Sequence, residues 1–274
     1  MTLSKPQIKF FADFIQTELG IVYTEPNYYQ LEKRLDDVAK ALSLPSSIDL
    51  HTQAIQGIAG SLKQLLLNIA TNNETSFFRD PKVFQIFENF VLPGLKKNNP
   101  KALLYRIWSA ASSFGQEPYS IAMAVSEFQA KNPGHPRFEI LATDIADHAL
   151  AKAKTGVYSQ LEVQRGLAAP RLVKYFKNSE DTSWALQHEI KSMVRFDKLN
   201  LLSPFTGLGS FDVIFCRYVL IYQDVAKKKE IMAKLAKCLN PGGFLVLGAS
   251  ESVMGLSDEF NQISEGGAIL YQKK

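Results

Sequence analysis

The stretch Trp108-Ser-Ala-Ala-Ser-Ser-Phe-Gly-Gln-Glu117-Pro-Tyr-Ser120 decides the fold of this chain. It follows an apolar run, Leu103 to Trp108, that predicts a short buried strand, and it leads into a helical pattern from Pro118 to Phe128. A turn of small residues between a buried strand and a helix is typical of a parallel α/β sheet. Ligands bind such sheets outside the carboxyl ends of the strands, so the sequence predicts a site at this turn.

The remainder of the C-terminal part repeats the alternation of strands and helices. Strands are predicted at 138–143, 211–216, 244–247 and 268–271, and helices at 145–154 and 224–239. We therefore expect an α/β, doubly wound, Rossmann-like domain at residues 101–274. Residues 155–195 break the alternation and predict an inserted, small antiparallel β-subdomain.

The N-terminal part has a different pattern. Residues 1–80 carry apolar side chains at helical spacing without strand-like alternation, which predicts a helical N-terminal domain. Residues 81–100 are predicted to be a linker that ends near the polar turn Asn98-Asn99-Pro100.

Composition excludes several functional classes. The chain is 46% hydrophobic and 21% charged, and no apolar run reaches the ~18–20 residues that span a bilayer. Two cysteines are too few for a disulfide framework, and the N-terminus has no secretory pattern, so a cytoplasmic location is expected. The mild net charge of +4 is not a nucleic-acid footprint, and no histidine pair has metal-ligand spacing.

The predicted turn lacks the G-x-G-x-x-G fingerprint of dinucleotide sites. Glu117 also falls in the first helical turn, where its carboxylate would repel a pyrophosphate. The same carboxylate suits a cation, and S-adenosylmethionine carries a sulfonium and an ammonium. The alternative is that Glu117 only interacts favourably with the helix dipole.

Asp144 ends the second predicted strand. A carboxylate there can accept hydrogen bonds from both ribose hydroxyls of a cofactor. The alternative is an N-cap for the next helix, although Asp147 is also placed to serve as that cap.

Read together, these segments resemble the CheR-type chemotaxis receptor methyltransferases over nearly the whole chain. The most specific stretches are Thr71-Asn-Asn-Glu-Thr-Ser-Phe-Phe-Arg79-Asp80, Trp108-Ser-Ala-Ala, Gly115-Gln-Glu-Pro-Tyr-Ser120, Ala142-Thr-Asp144, Asn200-Leu-Leu202, Phe215-Cys-Arg-Tyr-Val-Leu-Ile-Tyr222, Pro241-Gly-Gly-Phe and Leu247-Gly-Ala-Ser-Glu251. The resemblance implies S-adenosylmethionine as cofactor, S-adenosylhomocysteine as product, and glutamates on the cytoplasmic helices of chemotaxis receptors as substrate.

The resemblance also implies roles for individual residues. Asn73, Thr75 and Arg79 contact the methionine end of the cofactor, Glu117 its amino group and Asp144 its ribose. The remaining cofactor contacts would be Asn200 and Leu201 beside the adenine, and Arg217 and Tyr218 in the pocket wall. Arg79 and Tyr222 are the candidate catalytic residues, nearest the transferred methyl.

Residue chemistry supports these two candidates and leaves an alternative for each. The fork of Arg79 suits a carboxylate, either that of the cofactor or that of the substrate glutamate, whereas a surface ion pair with Asp80 or Glu74 is the competing interpretation. Tyr222 follows an apolar strand and can present its hydroxyl to the pocket, or can be a core aromatic.

Two departures from the family concern the cofactor pocket and the docking of the substrate. Tyr218 stands where the family usually has asparagine, and acidic neighbours offset the basic residues of the second helical stretch, Lys33, Arg34 and Lys40. Members that bind a receptor's C-terminal pentapeptide have a glycine-containing loop, whereas residues 177–184 contain no glycine. We therefore predict a monomeric, pentapeptide-independent enzyme. The alternatives are a same-fold methyltransferase acting on another protein or small acid, and a non-catalytic S-adenosylmethionine-binding scaffold.

Overall fold

The computed structural model describes residues 2–178 and 182–274. Its N-terminal part is a helical bundle with a hydrophobic core of its own, which includes Phe11, Ile15, Leu31 and Leu66. The bundle consists of α1 (Lys5–Leu19), a 3-10 turn (Glu25–Asn27), α2 (Tyr28–Ala41), α3 (Ser47–Ala54) and α4 (Gly60–Ala70). Buried side chains recur every three or four residues on each helix, which is the pattern seen in the sequence.

Residues 81–98, within the predicted linker, are helical. They form α5 (Pro81–Ile86), a π-helical turn (Phe87–Val91) and α6 (Leu92–Asn98), and only the polar turn at the end of the predicted linker lacks regular structure. Phe87, Val91 and Leu92 are fully buried in the same hydrophobic cluster as the central strands. The reason is packing, since these apolar residues cover one face of the sheet and cannot be left in solvent.

The C-terminal part alternates strands and helices as expected. In the described residues the strands are β1 (Leu104–Ala110), β2 (Arg137–Asp144), β3 (Val157–Ser159), β4 (Phe176–Asn178), β5 (Ser183–Leu186), β6 (Val194–Lys198), β7 (Phe211–Cys216), β8 (Leu239–Leu247), β9 (Phe260–Glu265) and β10 (Ala268–Lys273). The helices are α7 (Gln116–Lys131), α8 (Asp147–Thr155), α9 (Gln160–Gln164), α10 (Ala169–Tyr175), α11 (His188–Lys191), a 3-10 turn (Leu220–Tyr222) and α12 (Val225–Cys238).

Seven strands form one sheet in the order β6-β2-β1-β7-β8-β10-β9. The pairs from β6 to β8 are parallel, and β10 runs antiparallel to both of its neighbours. This mostly parallel sheet confirms the predicted doubly wound α/β class. The chain passes from β1 to β2 on one side and later to β7 on the other, so the switch point of the topology lies at the carboxyl end of β1.

The sequence did not predict β6 and β9, the two edge strands of the sheet. Buried and exposed positions alternate along most of β6, and β9 is largely exposed. Central strands such as β7, in which all six residues are buried, have the continuous apolar character that sequence patterns detect.

The predicted inserted subdomain contains a three-stranded antiparallel sheet in the order β3-β5-β4. Tyr158 of β3 and Phe176 of β4 pack edge-to-face on Phe77, with ring centroids 5.0 and 5.6 Å away. Part of the glycine-free loop, residues 179–181, lies outside the described residues. No helix in the described ranges is long and apolar enough to cross a membrane.

Candidate cofactor and methyl-transfer site

A cavity of about 980 Å³, including the space open to solvent at its mouth, lies at the carboxyl ends of β1, β2 and β7. Its lining includes all of the residues proposed from the sequence: Asn73, Thr75, Arg79, Glu117, Asp144, Asn200, Leu201, Arg217, Tyr218 and Tyr222. The fold thus brings five distant parts of the chain to one place at the topological switch point.

The turn between β1 and α7 forms the floor of the cavity. Gly115 precedes α7 with φ of +91°, and an added Cβ would lie 2.9 Å from the Cβ of Ala153 and 3.0 Å from the hydroxyl of Tyr158. Only glycine therefore fits there without strain or a clash. Ala111 and Ser113 also have positive φ, so this tight loop exposes its backbone to the cavity.

Glu117 and Arg217 form an ion pair in the wall of the cavity. The Glu117 carboxylate accepts hydrogen bonds from Ser109 Oγ at 2.8 Å and from Arg217 Nη1 at 2.9 Å. The side chain of Arg217 is only 2% exposed. Burial lowers its pKa, but the charges of Glu117 and Asp80 outweigh that effect, so the pKa of Arg217 is raised. These specific partners show that Glu117 does more than interact with the dipole of α7.

Asp144 is 5% exposed and ties two loops together beneath the cavity. Its two oxygens accept hydrogen bonds from Ser113 N at 2.7 Å and Ala146 N at 2.9 Å. Burial raises the pKa of this carboxyl above its ordinary value. The N-cap residue of α8 is Ala146, which has no side-chain oxygen, so neither Asp144 nor Asp147 caps this helix. The position of Asp144 in the lining favours the ligand interpretation.

Arg79 presents its guanidinium to the cavity without a carboxylate partner. In residues 2–178 and 182–274, Asp80 is paired with Arg217 and Glu74 with Arg165, so the surface ion pair considered for Arg79 does not form. Arg79 lies over the ring of Tyr218, 3.8 Å from its centroid, and Nη1 donates to the carbonyl oxygen of Glu74 at 2.8 Å. Its other N–H groups remain available for a ligand carboxylate.

The N-terminal bundle closes the other side of the cavity. Ile21 forms an isolated β-bridge with Gln223, and Val22 N donates to the carbonyl oxygen of Tyr222 at 3.2 Å. The Tyr222 hydroxyl accepts a hydrogen bond from Asn72 Nδ2 at 2.9 Å and is partly exposed, so this tyrosine is not a core aromatic.

Asn200 also connects the two parts of the molecule. Its side-chain nitrogen donates to the carbonyl oxygen of Glu18 at 2.7 Å, and its side-chain oxygen accepts from Leu202 N at 2.9 Å. These bonds engage most of the amide, which leaves the backbone at Asn200 and Leu201 to face a ligand.

Sequence reasoning missed several residues of the site. Leu19, Ile21 and Gln223 line the cavity but carry no motif, because their contacts join segments about 200 residues apart. Glu251 lies outside the lining. Its carboxylate accepts hydrogen bonds from the backbone N–H groups of residues 218–221 and so holds that segment. The only signal for Glu251 was its place in the stretch Leu247-Gly-Ala-Ser-Glu251.

The donor set fits S-adenosylmethionine. Ser112 and Gln223 line the cavity, and their buried side-chain oxygens, Ser112 Oγ and Gln223 Oε1, have no hydrogen-bond partner in the part of the chain that the structure describes. Buried polar atoms are normally paired, so Ser112 Oγ is a candidate partner for a polar ligand, whereas Gln223 Oε1 lies against Gly20. Carboxylates at Glu117 and Asp144 match cationic and hydroxyl groups, and Arg79 matches a carboxylate.

A doubly wound sheet with this cavity, and with carboxylates in place of a phosphate-binding loop, defines the class of S-adenosylmethionine-dependent methyltransferases. Residues 73–268 match the family profile described as "CheR methyltransferase, SAM binding domain". The chain belongs to the CheR methyltransferase family, and it is a methyltransferase that uses S-adenosylmethionine.

Relatives extend the similarity to the full length. The chain is 39% identical over 266 residues to chemotaxis protein methyltransferase Cher2 of Pseudomonas putida, covering 96% of each protein. It is 38% identical to chemotaxis protein methyltransferase 1 of Pseudomonas aeruginosa over 100% of both proteins. It is 37% identical to chemotaxis protein methyltransferase 1 of Vibrio cholerae, covering 100% of this chain and 99% of that protein. These alignments include the N-terminal helical bundle as well as the α/β part.

Proposed function

We propose that this protein transfers the methyl group of S-adenosylmethionine to glutamate side chains of chemotaxis receptors, forming γ-methyl esters. The observation that carries the proposal is Arg79, which lines the cavity together with Tyr222 and whose guanidinium has no carboxylate partner in the described ranges. A free arginine fork is suited to a carboxylate at the place where methyl transfer would occur. The names of the full-length relatives support chemotaxis receptors as the substrate class.

The reaction needs no general base. Glutamate has an unperturbed pKa of about 4.3, so its carboxylate is ionised at neutral pH. S-adenosylmethionine supplies an electrophilic methyl group on a positively charged sulfur. A glutamate oxygen forms the new C–O bond while the S–CH₃ bond breaks, and the electron pair of that bond stays on the sulfur of S-adenosylhomocysteine. The protein contributes alignment and exclusion of water.

The cavity residues divide into a cofactor set and a transfer set. In the cofactor set, Asp144 holds the ribose and Glu117 the amino group, with the Arg217 ion pair keeping that carboxylate in place. The other cofactor contacts are Asn73, Thr75 and Arg79 at the methionine end, Asn200 and Leu201 at the adenine, and the backbone of Tyr218 in the pocket wall. In the transfer set, Arg79 orients a carboxylate and the Tyr222 hydroxyl, fixed by Asn72, borders the methyl group.

Recognition is proposed to be independent of a receptor pentapeptide. The loop at residues 177–184 has no glycine, and the charges of the first 70 residues nearly cancel, with six Lys/Arg against seven Asp/Glu. Arg34, one of the few basic residues of α2, donates to Tyr23 Oη at 2.9 Å and to the carbonyl oxygen of Ile69 at 2.8 Å. It therefore contributes little to a basic docking face.

The test uses labelled S-adenosylmethionine and a receptor cytoplasmic fragment, prepared with and without its C-terminal pentapeptide. We expect the two fragments to be methylated at equal rates. Base treatment should then release the label from both as methanol. Base-stable label would refute an ester product, and cofactor binding without any transfer would indicate a scaffold. A rate that depends on the pentapeptide would refute only the claim of independence.

An Arg79→Met variant should bind cofactor and lose most of the transfer rate. Its matched control is Arg195→Met, because Arg195 is an exposed arginine whose ion pair, among the described residues, is with Asp197 on the edge strand β6. Full turnover by Arg79→Met would remove Arg79 from the proposed site.

A further inference from the structure

Tyr218 lies directly beneath the guanidinium of Arg79, whose Cζ is 3.8 Å from the centroid of the tyrosine ring. This stacking arrangement is a cation–π contact, which restricts a planar guanidinium to one orientation. In the described residues, the other contact at the tip of Arg79 is the Nη1 bond to the carbonyl oxygen of Glu74. The ring is therefore the main surface that determines where the fork of Arg79 points.

The ring itself is held at both ends. Its hydroxyl donates to Asp80 Oδ2, the oxygen that also accepts from Arg217 Nη2 at 2.6 Å. At the backbone, Tyr218 N donates to Glu251 Oε2 at 2.7 Å. Burial and the hydrogen bond to Asp80 raise the pKa of the Tyr218 hydroxyl, so it stays protonated and remains a donor near neutral pH.

Asp80 and Tyr218, which are joined by this hydrogen bond, both have an unusual backbone conformation. Asp80 has φ of +59° and Tyr218 has φ of +58°, in the left-handed region that non-glycine residues seldom occupy. A bulky tyrosine remains in this conformation only when the surrounding contacts hold it there, and such residues are concentrated at functional sites. Here the conformation turns the ring towards Arg79 instead of into the core.

We propose that Tyr218 is a positioning residue for methyl transfer, with its ring as the platform that orients Arg79 and with Asp80 as the anchor of that platform. The proposal rests on the proposed function, in which Arg79 orients the carboxylate at the transfer site. It assigns the side chain of Tyr218 to Arg79, whereas the family resemblance assigned this residue to the cofactor. It also assigns a role to Asp80, which was not among the candidate residues.

The test is a double-mutant cycle of Tyr218→Leu and Arg79→Met, with turnover of a receptor fragment and the cofactor Kd measured for every variant. Loss of the ring should lower kcat by about 5- to 30-fold, the equivalent of a partly desolvated cation–π contact. The cofactor Kd should change less than about 2-fold. In the Arg79→Met background, Tyr218→Leu should cause a much smaller loss, because the ring then has no Arg79 to orient and its remaining guanidinium contact is the longer one with Arg217, 5.5 Å from the centroid.

Tyr218→Phe keeps the ring and removes the bond to Asp80, so its kcat should lie between those of the wild type and Tyr218→Leu. Equal losses for Phe and Leu would overturn the role of the ring. Independent, multiplicative losses in the cycle, or a rise of the cofactor Kd that matches the fall of kcat, would show that Tyr218 is a cofactor contact and overturn the proposal. If Tyr218→Leu does not fold, Tyr218→Asn takes its place in the cycle.

A second measurement is independent of any substrate. In the wild type, the Nε–H resonance of Arg79 should show a ring-current shift, assigned by its absence in Arg79→Met and lost in Tyr218→Leu. Absence of the shift in the wild type would overturn the platform. A wild type that shows the shift but does not methylate the receptor fragment would refute the proposed function and leave the positioning of Arg79 established.

Discussion

Replacing Glu251 by glutamine tests whether one carboxylate holds the segment that carries Tyr218 and Tyr222. Glu251 Oε1 accepts backbone N–H groups from Val219, Leu220 and Ile221 at 2.9, 2.7 and 3.2 Å. Its Oε2 accepts from Tyr218 N at 2.7 Å and Gly248 N at 2.8 Å. Five donors thus converge on the two oxygens of Glu251. The side chain of Glu251 itself does not line the cavity.

Glutamine has one oxygen and one NH₂ group, so in either orientation the NH₂ faces at least two of these donors. The loss is therefore at least two charge-assisted hydrogen bonds, each worth about 1.5–3 kcal/mol. Glu251 is partly exposed, so water can replace some of the lost hydrogen bonds. We therefore expect the free energy of unfolding of the segment to fall by about 2–4 kcal/mol. This amount is large for a substitution that preserves side-chain shape.

The assay is hydrogen exchange of the amides of residues 218–221, with equilibrium denaturation as the global measure. Glu251→Gln should accelerate exchange at these amides and lower kcat, because Arg79 and Tyr222 depend on the same segment. The matched control is Glu259→Gln. Glu259 is an exposed glutamate directly before β9, and its replacement should leave exchange unchanged. Unaltered protection at Leu220 in Glu251→Gln would refute the reasoning.

Two further substitutions test other parts of the molecule. Gly166→Ala would place a Cβ 2.0 Å from the carbonyl oxygen of Phe77, so both the melting temperature and cofactor affinity should fall, whereas Gly134→Ala, with φ of +83° and open space, should only lower stability slightly. If the two variants behave alike in a thermal scan and in cofactor titration, this close contact has no role. Burial raises the pKa of Glu127, but its bonds to Arg171 outweigh that effect and lower it. Glu127→Gln should therefore destabilise the protein by about 0.5–1 kcal/mol at neutral pH, and the difference should disappear as the pH falls below about 4.5, through the lowered pKa. A difference in denaturation midpoint that does not shrink as the pH falls below 4.5 would contradict this assignment.

Several features of the fold were predictable because their signals are local. The turn from Trp108 to Ser120 contains its own small residues, its glycine and the first acidic residue of α7, so strand, turn and helix could be read from adjacent positions. Asp144 was predictable for the same reason, since it directly ends a buried strand. The helical character of residues 81–98 was missed because their apolar pattern was judged without knowledge of the sheet that they cover.

The sequence by itself determined the class of fold, the place of the cavity and the residue types around it, because short-range periodicity and strand ends encode them. Only the tertiary structure decided which charges pair, and therefore which cation remains available. Asp80 is engaged by Tyr218, 138 positions away, and Gln223 reaches the end of α1, 204 positions away. No local pattern specifies such contacts, since they arise from the packing of the helical bundle and the sheet against each other. That packing leaves Arg79 on the ring of Tyr218, facing the cavity.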